Sequence, residues 1–369
     1  MKKKLDIAIF GSSLVSAYWN GAATYYRGIV RSMHERGHRV RFFEPDAFGR
    51  QQHRDIETPD WAEVIVYYGR NDCDALQTLK EARGADLVIK ASGVGVFDAA
   101  LEKGVLDLQG PSTRVIFWDV DAPATLDRLQ ANPSDPFHAL IPRYDMVLTY
   151  GGGDRVVQAY RRLGARECTP IYNALDPTTH YKVGADLRYV ADLGFLGNRL
   201  PDREARVDEF LLRAATLSPG RYFLLGGSGW GDKALPANVR HLGHVYTADH
   251  NAFNRSPKAV LNISRESMAR YGFSPATRVF EAAGAGACVI TDAWEGIDYF
   301  LEPGKEVLVA ANAEEVAAHV CALDMEKARR IGDAALRRVL AEHTYAHRAA
   351  QLEALLEGRD AVRPLGVTA

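Results

Sequence analysis

The stretch "NISRESMARYGFSPATRVFEAAGAGACVITD", residues 262–292, decides how the chain is built. It continues an apolar run, "VLNIS" (260–264), crosses a polar loop holding Arg265 and Arg270, and reaches "SPAT" (274–277). Ser274 is placed to cap free helical N–H groups, and Pro275 suits a first helical position, where its missing N–H costs nothing. Gly284 and Gly286 close the helical pattern, and "ACVITD" (287–292) follows as a β-rich run. A strand, a crossover of a dozen or more residues and a second strand is what a parallel pair requires.

The same alternation runs along the whole chain. Seven β-rich runs come first: "DIAIF", "HRVRFFE", "AEVIVYY", "ADLVIKA", "TRVIFWD", "YDMVLTY" and "ECTPIY". In "AATYYRGIVRSMHERGH" (22–38), Ala23, Tyr26, Val30 and Met33 recur at helical spacing and Gly37 ends the pattern. Near residue 173 the pattern gives way to "NALDPTTHYKVGADLRY", a polar stretch read as a linker. Six further runs follow: "YVADLGFLG", "RYFLLGG", "NVRHLGH", "AVLNISR", "ACVITD" and "EVLVA". The expectation is α/β, with two Rossmann-like, doubly wound parallel-sheet domains facing across a cleft. The boundaries expected are 1–175 and 176–342, then a C-terminal helix over 343–357 returning to the first domain, and a tail over 358–369 read as frayed. The closing segment "MEKARRIGDAALRRVLAEHTYAHRAAQLEALLEG" (325–358) reads as one long helical pattern.

Composition narrows the function. Of the 369 residues, 47% are hydrophobic and 25% charged, the make-up of an ordinary globular protein. Lys and Arg total 45 against 47 Asp and Glu, so the basic excess that drives nucleic-acid binding is missing. Cys73, Cys168, Cys288 and Cys321 lie far apart, without zinc spacing, and read as buried thiols of a reducing compartment. The apolar part of "MKKKLDIAIFGSS" is too short for a signal peptide, and no run approaches the roughly 18 apolar residues of a membrane span. A cytoplasmic protein is expected.

In open parallel sheets ligands bind beyond the carboxyl ends of the strands. Arg278 and Glu281 lie one turn inside the 274–284 helix, three residues apart and on neighbouring faces, with Thr277 at its start. An Arg fork suits a diphosphate and a carboxylate can accept two ribose hydroxyls. A helix N-terminus favours phosphate as well. The same spacing also makes an ordinary surface ion pair, and the glycines can simply end a helix. "FLLGGSGWGD" (223–232) allows close backbone approach to a ligand, which makes Gly227 and Ser228 candidates, but the proline and strand in "KALPANVRHLGHV" rule out a dinucleotide fingerprint. His244 is a candidate for the base or simply a solvated strand end. Asn198 and Arg203, just past "DLGFLG", are candidates for a diphosphate, or Arg203 is a helix-surface charge.

In the first half, "FGSSLVSAYWNGAATYY" is a long loop with Gly21 opening the helix, and "KASGVGVF" falls short of a dinucleotide motif because Asp98 stands at its third position. Asp119 and Asp121 in "FWDVDAPATL" sit at a strand end, where one could orient or deprotonate an acceptor hydroxyl, or Asp121 could cap the next turn. The pairs His34/His38 and His343/His347 have metal-compatible helical spacing but no evident third ligand, and both pairs are expected to be exposed.

The segment "RVFEAAGAGACVITDAWEGIDYFLEPGKEVLVA" (278–310), with "GFLGNRLPDREARV", "GGSGWG", "HLGHV" and "LNISR", resembles the C-terminal part of GT-B glycosyltransferases, most closely the CgeB-like group. The resemblance implies transfer of a sugar from a nucleotide-diphosphate sugar of UDP, GDP or TDP type to an unidentified glycan, small molecule or protein. It implies retention of configuration, no required metal or other cofactor, and an acceptor on the first domain. It places Glu281 on the ribose, and Arg265, Ser274 and Arg278 at the diphosphate. Many such enzymes carry a second Glu eight positions earlier; here that position is Phe273. The alternatives on the same fold are a sugar-nucleotide epimerase or hydrolase and a nucleotide-binding protein without turnover.

Overall fold

The computed structural model describes residues 3–358. The segment 359–369, read above as frayed, lies outside the described residues. Two compact units form, one from the residues up to Tyr172 together with those from Tyr345 onward, the other from Asn173–Thr344.

The first unit holds β1 (Asp6–Phe10), β2 (Arg39–Pro45), β3 (Glu63–Tyr67), β4 (Leu87–Ala91), β5 (Arg114–Asp119), β6 (Met146–Thr149) and β7 (Cys168–Pro170). They form one sheet in the order 3-2-1-4-5-6-7, and every neighbouring pair is parallel. All five residues of β4, "LVIKA", are buried, as expected for a strand covered on both faces. The order reverses between β1 and β4, which opens the loops after those strands at the carboxyl edge.

The second unit repeats the plan with β8 (Leu193–Leu196), β9 (Phe223–Gly226), β10 (Val239–Gly243), β11 (Ala259–Asn262), β12 (Val289–Asp292) and β13 (Leu308–Ala310). Its all-parallel order is 10-9-8-11-12-13, so the reversal falls between β8 and β11. Phe195, Trp230, Leu261 and Ile290 are buried in its core, and the Trp230 indole N–H donates to Gly197 O at 2.7 Å. That bond satisfies the polar tip of a buried tryptophan and ties the loop after β8 to the loop after β9.

Helix Ala23–Glu35 buries Ala23, Tyr26, Val30 and Met33, the face that its spacing marks. The closing segment is two helices, Met325–Glu342 and Tyr345–Leu356. His343 leaves helical geometry at φ −129°, ψ 46°, and Thr344 bridges to Leu175. The second helix lies on Ala23–Glu35, where a side chain at Gly28 would meet the Tyr345 ring at 2.1 Å. Two sequence readings are corrected: Cys73 and Cys321 are exposed, and each histidine pair has one buried member, His38 and His343. His38 accepts from Leu5 N at 3.0 Å and meets Glu353 at 3.0 Å, so its ring nitrogens serve the fold.

Candidate functional site

The reversal in the second unit brings together the loop after β8 and the loop after β11. Helix Pro201–Val207 leaves the first and carries Arg203; helix Thr277–Gly284 follows the second and carries Arg278. Both guanidinium groups stand over the ring of Phe195, their carbons 5.8 and 5.4 Å from its centre. Arg203 donates to Asn198 O at 2.6 Å, but its Nε–H is buried without a partner. No hydrogen bond or ion pair to the Arg278 guanidinium occurs among the described residues. Burial, then the charges of Arg278 and Arg265, brings the Arg203 guanidinium down to about 10. Burial lowers Arg278 too, opposed by Glu281. Two crowded cations with spare donors and no bound carboxylate form an electrostatically unsatisfied site, to which an anion would restore balance.

Around this pair the cations are paired. Arg265 contacts Asp202 at 2.9 Å, and Asp202 also accepts from Ser267 Oγ at 2.7 Å. Burial would raise the Asp202 carboxyl, yet Ser267 and Arg265 hold it below the usual range. Arg206 reaches the fully buried Asp292 at 2.6 Å. Arg265 thus acts within a network, whereas Arg278 and Arg203 keep donors to spare.

Glu281 does not make the i, i+3 ion pair with Arg278 that its spacing allows. The basic side chain within reach of it is His180, whose Nε2 lies at 4.0 Å, with both side chains largely buried. His250 lies close by; burial lowers its pKa against the pull of Glu281, and its Nε2 meets Val245 O at 3.2 Å. Glu281 therefore remains able to accept hydroxyl donors.

Ser274 is a correction. Its hydroxyl donates to Gly272 O at 2.8 Å, and the helix starts at Thr277 with Ala276 as an N-cap that supplies no side-chain bond. The cause is the turn at Gly272 and Phe273, at φ 71° and 43°, which directs the chain through Ser274 and Pro275 before it can coil. The first N–H groups of the helix, at Thr277 and Arg278, are left without a side-chain cap. Gly286, at φ 70°, ends this helix, so the helix-end reading of the glycines holds as well.

The glycine loop is also corrected. A Cβ on Gly227 would lie 2.2 Å from Gly197 O, so its φ of 122° serves the packing of two backbones. Asn198 Oδ1 accepts from Ser228 N at 3.0 Å and locks the same pair of loops. His244 is exposed and stands edge-on to Tyr246 at 4.7 Å.

In the first unit, Asp119 is fully buried and its carboxylate accepts from Ser92 Oγ at 2.7 Å, Thr125 Oγ1 at 3.0 Å, Asp121 N at 3.0 Å and the Tyr160 hydroxyl. Those bonds give it the role of a knot between strand ends, and its full burial keeps the carboxylate away from solvent, which argues against the catalytic expectation. Asp121 precedes helix Ala122–Ala131 without a side-chain cap bond. Gly21 is exposed with open space around it, and the helix it was expected to open begins at Ala23. No group of three or more His, Cys, Asp or Glu suited to a metal occurs among the described residues, and no described helix is long and apolar enough to cross a membrane.

Phe195, His180 and His250 were missed. Phe195 reads as a core strand residue, which it also is, and His180 falls in the stretch dismissed as a linker.

Two parallel-sheet units with this strand order define a GT-B fold. Residues 203–354 match the family described as "Glycosyl transferase-like". The structure is similar to the sucrose-phosphate synthase of Thermosynechococcus elongatus, with a TM-score of 0.70 and 15% identity over 96% of this chain and 99% of that one. It is similar to Anabaena HepE, whose structure holds UDP and glucose, with a TM-score of 0.66 and 16% identity over 96% and 100%. T4 phage BGT, in complex with its UDP-glucose substrate, matches with a TM-score of 0.61 and 12% identity over 96% and 100%. No protein of curated function matches the sequence. The fold and the family match together support a glycosyltransferase of GT-B type.

Proposed function

We propose that the protein transfers a sugar from a nucleoside-diphosphate sugar held by the second unit. The observation that carries the reading is the Arg203–Arg278 pair over Phe195, with spare donors at the sheet reversal. The diphosphate bridges these two side chains and the uncapped N–H groups of Thr277 and Arg278. Glu281 accepts the ribose hydroxyls, which lie on the far side of the diphosphate from the sugar. Arg265, held by Asp202, adds positive potential and steadies the loop.

In the reaction the bond from the anomeric carbon to the β-phosphate oxygen breaks and its electron pair stays on the diphosphate. An acceptor hydroxyl oxygen bonds to the anomeric carbon, and its proton passes to the departing diphosphate. Charge grows on the leaving group in the transition state, where donors already fixed in place stabilise it most. The proposed course is retention, with departure and attack on one face and the arginines, rather than a divalent ion, carrying the leaving charge. The segment 278–310 supports placing the protein with the CgeB-like group.

A thermal-shift panel of UDP, GDP, TDP and ADP tests the reading. A nucleotide at a hundred times its dissociation constant stabilises by about 2.7 kcal/mol, which reads as a shift of a few degrees. A shift from one base above the others supports it, and nucleotide release that needs an acceptor separates transfer from hydrolysis. A flat response to all four would sink it. Undiminished transfer in EDTA supports the metal-free course, and the anomeric proton coupling of the product reads the stereochemistry.

A further inference from the structure

A cavity of about 180 Å³ opens at the amino edge of the second sheet. Pro257 and Lys258 lead into β11 and Gly286, Ala287 and Cys288 lead into β12, so the cavity lies at the strand ends opposite to those that carry Arg203 and Arg278. Helix Thr277–Gly284 runs from one edge to the other, with Arg278 in its first turn and Gly286 just past its last. A ligand in this cavity would therefore hold a site of its own.

The wall has a chemical bias. Three cationic side chains line it, Arg255, Lys258 and Arg329, and among the described residues no carboxylate does. Lys258 is neutralised by Asp192 at 2.6 Å. Of the five N–H donors of a guanidinium, Arg255 gives one from Nη1 to Gly286 O at 3.0 Å, which holds the group in place and leaves the others free. No ion pair to Arg255 or Arg329 occurs among the described residues, whereas Lys182 and Asp333 close by are paired with each other at 2.7 Å. The cavity thus faces two uncompensated positive charges. Its other polar groups do not balance them: Ser256 Oγ donates to Ala252 O at 2.6 Å and accepts from Asp186 N at 2.8 Å. Burial pushes the Cys288 thiol up to about 12 against the opposing charge of Lys327, so it stays neutral near pH 7. Val183, Ala287, Met325 and Ala328 give the cavity an apolar side.

We propose that this cavity binds a small organic phosphate monoester, with the phosphate between Arg255 and Arg329 and the carbon body on the apolar side. Near neutrality a phosphate monoester carries a charge of about −1.5 to −2 and three acceptor oxygens, which suits two guanidinium forks. A monocarboxylate would leave one of the two charges unmatched. Inorganic phosphate would match the charge and leave the apolar side facing water. The proposal stands apart from the nucleotide reading, because none of its residues belongs to the Arg203–Arg278 site.

The test reads Met325, which is 41% exposed and stands in the cavity wall. The full chain has five methionines; it is labelled with 13C-methyl methionine, and Met325→Leu assigns the signal. Phenyl phosphate, benzoate, inorganic phosphate and phenol are titrated in turn. The expected result is a saturable shift of the Met325 methyl with phenyl phosphate, at a half-saturating concentration about ten-fold below those of benzoate and inorganic phosphate. Arg329 is exposed and makes no contact that the fold needs, so Arg329→Glu should stay folded and weaken phenyl phosphate about ten-fold or more. Arg278→Ala should leave the half-saturating concentration within about two-fold of wild type, because that side chain is at the other edge. No Met325 shift, equal affinity for phenol or for inorganic phosphate, or unchanged binding in Arg329→Glu overturns the proposal. A shift lost in Arg278→Ala overturns it as well, since the anion would then sit at the other edge. A protein that keeps the Met325 shift and binds no nucleotide supports this site and loses the transferase reading alone.

Discussion

Arg203 and Arg278, seventy-five positions apart in the chain, stand over the same ring of Phe195, at 5.8 and 5.4 Å from its centre. Neither has a carboxylate within ion-pair distance among the described residues, although Asp202, Arg206, Arg265 and Asp292 close by are tied into pairs. If this pair grips a diphosphate, Arg278→Ala should weaken nucleoside-diphosphate binding by the value of charge-assisted hydrogen bonds, about 1.5–3 kcal/mol, or roughly 10–100-fold. Arg203→Ala should do similar damage, and the double variant less than the sum, because both side chains face one anion. Calorimetric titration of each variant measures this.

Glu281→Ala should separate the two ends of the nucleotide. Affinity for the nucleoside diphosphate should fall about ten-fold, while affinity for inorganic pyrophosphate stays level or rises as a negative charge is removed. Competition titration with both ligands reads it. An equal loss for both would assign Glu281 to the structure of the site rather than to ribose.

The sheets and their loops were legible because each of the thirteen strands falls within a short β-rich run between polar loops, and most of these runs are apolar, as strands covered on both faces need. The sequence put Arg278 and Glu281 on a helix that follows a strand end, and the structure has them on helix Thr277–Gly284. What stayed hidden depends on distant pairing. Ser274 carries a capping signature that the left-handed turn at Gly272 and Phe273 overrides. Gly227 looked free for a ligand because nothing local shows that Gly197 O occupies the space. Asp119 reads as catalytic in "DVD", yet Ser92, Thr125 and Tyr160 come from elsewhere in the sequence to consume its carboxylate.

Gly227→Ala should therefore act on stability. Its Cβ would press on backbone at 2.2 Å and at a φ of 122°, so unfolding free energy should drop by roughly 2–4 kcal/mol. Denaturant titration of the variant checks this; a neutral result would mean that the two loops are free to separate.

Asp119→Ala should likewise destabilise, by about 2–4 kcal/mol, because three buried hydroxyls and an N–H lose their acceptor. Activity per folded molecule should change far less than stability. A fully folded variant with abolished transfer would restore a catalytic role.

Glu102, buried in helix Asp98–Gly104, supplies a pH dependence. Burial pushes its carboxyl up to about 7, opposed by Lys90 and reinforced by Asp98, from an ordinary 4.5 in the unfolded chain. The folded state holds the proton more tightly, so this group's contribution is full below pH 4.5 and is lost as pH rises through 7. Glu102→Gln should flatten that slope and raise the melting temperature at pH 8 by a few degrees, with little gain at pH 4.

The most direct measurement is calorimetric titration of UDP, GDP, TDP and ADP into the wild-type chain and into Arg278→Ala. The account predicts saturable binding of at least one nucleotide, weakened ten-fold or more in the variant while the variant's melting profile stays cooperative. Binding of the same strength in both proteins, or of no nucleotide to the wild type, would contradict it.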